Sequence, residues 1–303
     1  MRKKATRYMA ILSLTSFLLT TAVATQPKAL PKANKMPTPK EMIVAYYGRP
    51  HSSSLGVLGQ HTIKELIPLI KAKTEAYKEA SGNQNILPAF DIIYGLAAAD
   101  PGRRKDYILP LSEKSIMEYI NAANEHGLAV FLDVQLGKMT PVEAIKPILK
   151  YLKYQNVHIA IDPEFEVHGL DVRPGKIVGH ITDNDVNQAQ NLISNHLKEN
   201  NITEEKMLVV HMFRSSMVKN KSLINGYENV DLIMNLDGHG SPTLKTKIYN
   251  GLYTDVASDK VAGGFKLFFK EDKPRLMTPK EVLGLESIGG TKIKHMPRYI
   301  NYQ

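Results

Sequence analysis

Residues 157–167 read VHIAIDPEFEV, an apolar run that turns acidic at Asp162, Glu164 and Glu166. Acids at every second position match the side-chain repeat of a β-strand. The strand reading puts all three carboxylates on one face, opposite Ile159, Ile161 and Phe165. Working outward, similar short apolar runs occur at 42–48 (MIVAYYG), 85–96, 128–137, 206–213, 230–238, 261–270 and 297–303. Between them lie segments of helical character at 61–80, 112–126, 141–154, 184–200, 215–229 and 244–254, and one more opening at Thr278-Pro279. Gly127 is a C-terminal stop signal, and Thr140-Pro141 is a cap followed by a first-turn proline.

Strands that alternate with helices imply parallel pairing through βα units. An open doubly wound sheet and a closed barrel both satisfy that alternation. No glycine-rich phosphate loop follows the first strand, which counts against a dinucleotide-binding sheet. The strand count, the even spacing and a folded part near 260 residues favour an α/β fold with a single (β/α)8 TIM-type barrel at 42–303.

The N-terminus reads differently. Arg2, Lys3, Lys4 and Arg7 precede an apolar stretch and the small residues Ala22-Val23-Ala24, the three-part form of a secretory signal peptide over residues 1–24. Its apolar run is short and interrupted by Ser and Thr, which favours cleavage over retention as an anchor. Cleavage would remove four basic residues and no acids, lowering the net charge from +9 to +5. A Pro- and Lys-rich linker follows at 25–41. Cysteine is absent, so no disulfide framework is possible and a packed core must hold the chain. The expectation is a monomer outside the cytoplasm (secreted, cell-surface or periplasmic) with no membrane span after cleavage. No nucleic-acid partner, cofactor or resident metal is expected.

In a barrel, function gathers at the C-terminal ends of the strands. Those ends carry Tyr46 and Tyr47, Asp91, Asp133 and Gln135, Asp162 with Glu164 and Glu166, His211 followed by Arg214, Asn235 with Asp237 and His239, and Lys266. Period two turns Asp133 and Gln135 inward, and likewise Asn235, Asp237 and His239, to join the acids of the fourth strand. Carboxylates gathered in one mouth cannot all ionise freely, so one keeps its proton while another stays charged. That division of roles is what cleavage of a glycosidic bond requires. Glu164 is the expected general acid, acting with Asp162, and Asp133, Asp237 or Glu166 is the second carboxylate. Tyr46, Tyr47, Asp91, Gln135, His211, Arg214, Asn235, His239 and Lys266 are expected to bind substrate or tune the site. The partner class is a carbohydrate or cell-wall glycan. Two other readings stand beside this one. In a metal-dependent phosphodiesterase or amidohydrolase, Asp162, Glu164, His211, Asp237 and His239 would be ligands. In a non-catalytic glycan-binding barrel, the acids would bind hydroxyls.

IAIDPEFEV also resembles the Asp-x-Glu strand ends of secreted TIM-barrel glycoside hydrolases, and most nearly the Chalaropsis-type lysozymes. The resemblance implies roles for Asp162 and Glu164, with Glu164 as general acid. It departs at the first strand, where that family has an Asp and this chain has Tyr46-Tyr47, and at the additional Glu166. The segments YYGRP…LGVLG and FKLFFKED…LMTPKEVL resemble a family of exported bacterial proteins, which implies export but no particular activity.

Overall fold

The computed structural model describes residues 41–253, 256 and 259–303. The signal peptide and nearly all of the linker expected at the N-terminus lie outside the described residues. The eight barrel strands are β1 (Met42–Gly48), β2 (Ile86–Ala97), β4 (Ala129–Gln135), β5 (Val157–Asp162), β7 (Lys206–Met212), β9 (Val230–Leu236), β10 (Val261–Leu267) and β11 (Tyr299–Tyr302). Each pairs in parallel with the next, and β11 pairs back onto β1 through Ile43↔Tyr299 to Tyr46↔Tyr302. The sheet is therefore closed, as the strand count, the even spacing and the length of the folded part favour. Three short strands lie outside the ring: β3 (Ile108–Pro110), antiparallel to the end of β2, and β6 (Ile181–Thr182), which pairs with β8 (Val218–Lys219).

Closure divides the side chains by parity. Val44, Phe90, Leu132, Ile159, Val210, Met234, Phe265 and Ile300 point outward into a buried shell shared with Leu66, Ile70 and Tyr77 of α1 (Ile63–Ser81). The inward positions at the bottom form a second cluster that includes Ile43, Ala45, Phe131, Val209, Ile233 and Tyr299. Phe131 plugs this bottom, with ring centroids 5.0 Å from both His158 and Tyr299. Each fully buried aliphatic or aromatic side chain contributes about 1.5–3 kcal/mol of transfer free energy, so the two shells are the main source of stability. Gly264 is needed where β10 passes β9: a Cβ there would lie 2.7 Å from Asn235 Oδ1 and 3.0 Å from Asn235 Cα.

The other helices are α2 (Glu113–His126), α3 (Pro141–Ile145), α4 (Asp183–Glu199), α5 (Pro242–Leu252) and α6 (Pro279–Val282). Capping boxes open α1, α3, α4 and α6, with Thr62, Thr140, Thr182 and Thr278 as caps. Three expectations change. The helix expected over 141–154 is α only to Ile145 and then a 3₁₀ segment over Lys146–Tyr151, because Pro147 has no N–H to donate and its ring crowds the preceding turn. The helix expected over 215–229 is instead two single 3₁₀ turns separated by Asn220 in the left-handed region at φ 54°. The strand read through 157–167 stops at Asp162, where Pro163 opens a 3₁₀ turn over Pro163–Phe165. No helix among the described residues is long and apolar enough to cross a membrane.

Candidate active site

Following the register around the barrel sorts the inward polar residues into levels, each filled by alternate strands. β1, β4, β7 and β10 place Tyr47, Asp133, His211 and Lys266 at one level. Just beneath, β2, β5, β9 and β11 contribute Asp91, Ala160, Asn235 and Asn301. Asp162 and Asp237 stand just above, at the C-terminal ends of β5 and β9. The polar levels therefore rest on the apolar plug and face the mouth.

The levels are bonded to one another. Tyr47 Oη donates to Asp133 Oδ2 at 3.0 Å. Lys266 Nζ lies 2.9 Å from Asp237 Oδ1 and 3.5 Å from the centroid of the Tyr47 ring. His211 Nδ1 lies 3.2 Å from Asp237 Oδ2, and its Nε2 lies 4.0 Å from Asp91 Oδ2. Beneath, Asn235 Nδ2 donates to Asn301 Oδ1 at 3.2 Å, and Asn301 Nδ2 donates to Asp91 Oδ2 at 3.0 Å, where Tyr299 Oη also donates. Further support comes from Lys245, whose Nζ donates to Lys266 O at 2.7 Å and pairs with Asp272 at 2.8 Å. Asp272 in turn accepts from Gly240 N and Phe268 N, which fixes the loops after β9 and β10.

Burial and charge divide the acids into two kinds. Burial, with the Asp162 and Asp237 charges, pushes Glu164 up to about 7. Burial, with Asp133 and Asp237, pushes Asp162 up to about 7 against the pull of His211. Burial, with Asp91, brings Asp133 to about 6, opposed by His211, Lys266 and the Tyr47 hydrogen bond. Asp237 goes the other way: burial works against its charge, but Lys266 and His211 outweigh it and hold the carboxylate below its ordinary range. Burial also opposes the charged form of His211, yet Asp133 and the bond to Asp237 raise it to about 9. At neutral pH the mouth holds an ionised Asp237 between two cations, with Glu164 and Asp162 close by in mid-titration.

Not every expected residue joins this group. Tyr46 faces outward: its ring meets Phe269 and Tyr302, with centroids 6.4 Å away in each case, because parity opposes it to Tyr47. Glu166 lies beyond the turn at Pro163, where its Oε1 accepts from His168 N at 2.7 Å on the outer side of the chain. Glu164 does face the mouth, but it is carried there by the 3₁₀ turn whose backbone N–H donates to Asp162 Oδ1 at 3.0 Å, and not by strand alternation. His239 is exposed on the loop after β9, its ring edge-on to Phe268. Gln135 points inward but closes the end of β2 by accepting from Ala97 N at 2.8 Å. Asp91 is fully buried beneath the mouth. Arg214 is exposed at the rim, close enough for its charge to act on Glu164. Three residues escaped the sequence reading. Tyr299 and Asn301 share the inward parity of β11, a signal already present in YINY. Arg49 is nearly buried and donates to Ile93 O and Tyr94 O, pinning the first loop to β2.

No protein-family model matches the chain, and no curated protein matches it in sequence. Similar solved structures include a mutant of the O-GlcNAc hydrolase of Thermobaculum terrenum, at 12% identity over 87% of this chain and 54% of that one, with a TM-score of 0.45. Another is the spore cortex-lytic enzyme SleL of Bacillus cereus, at 10% identity over 79% of this chain and 55% of that one, with a TM-score of 0.39. A third is a family 18 chitinase of Crocus vernus, at 13% identity over 86% of this chain and 92% of that one, with a TM-score of 0.39. The chain spans little more than half the length of the first two.

The ligand set expected for a metal hydrolase is not assembled. Asp237 is engaged by Lys266 and His211, and His239 lies outside on its loop. Among the described residues, the His and acid side chains grouped tightly enough to hold an ion are Asp91, Asp133 and His211. At the mouth, Glu164 is raised to about 7 and Asp237 is lowered below its ordinary range.

Proposed function

We propose that the protein is an exported glycoside hydrolase acting on a carbohydrate or cell-wall glycan. The observation that carries this reading is the opposite tuning of two carboxyls in one mouth. Glu164 is pushed up to about 7 by burial and its acidic neighbours, while Asp237 is held ionised by Lys266 at 2.9 Å. Glu164 is half-buried, so it meets a substrate, and with a value of about 7 a large share of it still carries its proton near neutral pH. It would protonate the glycosidic oxygen as the bond to the anomeric carbon breaks. Asp237 would face the positive charge that develops at that carbon, either attacking it directly or taking a proton from the attacking water. Asp162 bonds the backbone of Glu164 and keeps the acid in place. The Asp-x-Glu likeness to the Chalaropsis-type lysozymes points to the same acid. Export rests on the signal-peptide pattern of residues 1–24.

The test compares wild type with Glu164→Gln and Asp237→Asn on aryl glycosides and on purified cell-wall glycan, reading reducing-end release. Losing a general acid lowers kcat by about 10²–10⁴-fold. The loss with Glu164→Gln should be smaller on substrates whose aryl leaving group needs no proton. Full activity of Glu164→Gln on an alkyl-linked glycan would overturn the assignment. Glycan binding without any turnover by wild type would identify a binding barrel instead.

A further inference from the structure

We propose that Asp91, Asp133 and His211 form a binding site for a divalent first-row transition-metal ion, enclosed in the barrel beneath the mouth. The three side chains come from β2, β4 and β7, and each is buried. One ligand atom from each lies within 4.8 Å of the other two. Proximity alone would say little, because acids crowd this barrel. What points to an ion is how the three are held.

Each of them has one polar atom anchored by the protein and a second that is buried without a hydrogen-bond partner. Asp91 Oδ2 accepts from Tyr299 and Asn301, while Asp91 Oδ1 has no donor among the described residues. Asp133 Oδ2 accepts from Tyr47, while Asp133 Oδ1 has none. His211 Nδ1 lies 3.2 Å from both Asp237 Oδ2 and Asn235 Nδ2, while Nε2 is unpartnered and 4.0 Å from Asp91 Oδ2, too far for a hydrogen bond. Buried polar atoms without partners are rare in folded proteins. Here three, Asp91 Oδ1, Asp133 Oδ1 and His211 Nε2, lie on side chains that can each bring a ligand atom within 4.8 Å of the other two, beside a fourth at Asn235 Oδ1.

The outer contacts are those that metal ligands have. A ligating histidine passes its other ring N–H to a carboxylate, which fixes the tautomer and the ring plane, and ligating carboxylates are themselves hydrogen-bonded. Asp237, Tyr47, Tyr299 and Asn301 fill these outer positions. An ion would replace the proton on Nε2, as at any histidine ligand. Two carboxylate oxygens and one imidazole nitrogen suit zinc or manganese better than calcium, which prefers oxygen ligands throughout. Zinc bonds of about 2.0–2.2 Å bring tetrahedral ligand atoms to roughly 3.5 Å from one another. Binding would therefore draw the ligand atoms together from a spacing of up to 4.8 Å. A divalent ion would also balance two carboxylates that now face one barrel interior.

The site does not rest on the glycosidase reading, and metal uptake is measured without any substrate. The full chain, stripped with a chelator, is titrated with cobalt(II) and then zinc(II). Bound metal is read by elemental analysis after gel filtration, and cobalt by its visible spectrum. One tightly held equivalent is expected. Asp91→Asn and His211→Gln should abolish it, and Tyr47→Phe, which removes only the donor to Asp133, should weaken it about 10–100-fold. Glu164→Gln, Glu166→Gln and His239→Ala should leave uptake unchanged. If Asp91→Asn or His211→Gln fails to fold, zinc-edge X-ray absorption on wild type gives the ligands directly. One imidazole with oxygen neighbours supports the site. Two or more imidazoles, no equivalent bound by wild type, or uptake indifferent to Asp91→Asn and His211→Gln would overturn it.

Discussion

Lys266 sets the charge state of the mouth. Its ammonium pairs with Asp237 at 2.9 Å, and its charge also lowers Glu164 and Asp133. Replacing it with Met removes that cation while keeping most of the stem's bulk. Asp237 then loses the chief interaction that keeps it ionised, so its pKa rises, and Glu164 rises as well. Both limbs of the kcat/KM profile should move to higher pH in Lys266→Met. A residue with a purely structural role would lower the profile without moving it, so limbs that stay in place would rule out this role. Lys266 was legible in the sequence because it sits inside β10, where period two assigns a face reliably. Glu164 and Glu166 were less legible. Pro163 breaks the alternation that seemed to unite them with Asp162, and the turn after it sends Glu164 to the mouth and Glu166 away. Tyr46 and Tyr47 are adjacent, so parity alone separates them, and only Tyr47 reaches the interior.

At the scale of elements, the caps carry much of the fold's local specification. Thr182 opens α4: its side chain accepts from Asp185 N at 3.3 Å, while Asp185 Oδ2 accepts from Thr182 N at 2.8 Å. Thr182 also lies on β6, which pairs with β8 and ties the long loop after β5 to the one after β7. Thr182→Ala should destabilise the protein by about 1 kcal/mol, the usual cost of losing a threonine cap. The measurement is a urea midpoint lowered at unchanged m-value. A change in m would mean that the loop pairing, and not just the cap, had been lost. Caps of this kind are short-range and therefore readable, as Thr140-Pro141 and Thr278-Pro279 were. The 3₁₀ turns and the β6–β8 pair were not readable, because two-residue strands have no period and their pairing depends on loops distant in sequence. The last strand shows a narrower limit. The run at 297–303 was legible as a strand, but not its pairing on both sides, with β10 and with β1, which closes the barrel.

For the whole molecule, the same acids link stability to pH. Asp133, Asp162 and Glu164 sit at about 6, 7 and 7 in the folded protein, against ordinary values of 3.8, 3.8 and 4.5, and His211 at about 9 against 6.5. All four shifts are upward, so over this range these groups bind more protons in the folded chain than in the unfolded one. Unfolding then releases protons, and stability falls as pH rises. The contribution of the three acids is complete below about pH 4 and is lost as pH climbs through 6 and 7, and that of His211 is lost as pH climbs through 9. Groups with depressed values act in the opposite sense: the contribution of Asp237, Glu143 and Glu281 fades only on acidification below the ordinary carboxylate range, whereas His158, pushed down to about 3 by burial, offsets part of the decline between pH 5 and pH 7, and Lys206, pushed down to about 8 by burial, offsets part of the loss from His211. The urea midpoint should therefore be higher at pH 5 than at pH 7, and higher at pH 7 than at pH 9. In Asp162→Asn the decline between pH 5 and pH 7 should be shallower, because a neutral amide has no proton to release. A midpoint that rises from pH 5 to pH 9 would show that the carboxyls ionise freely inside the barrel, and the opposed tuning of Glu164 and Asp237 would fall with it.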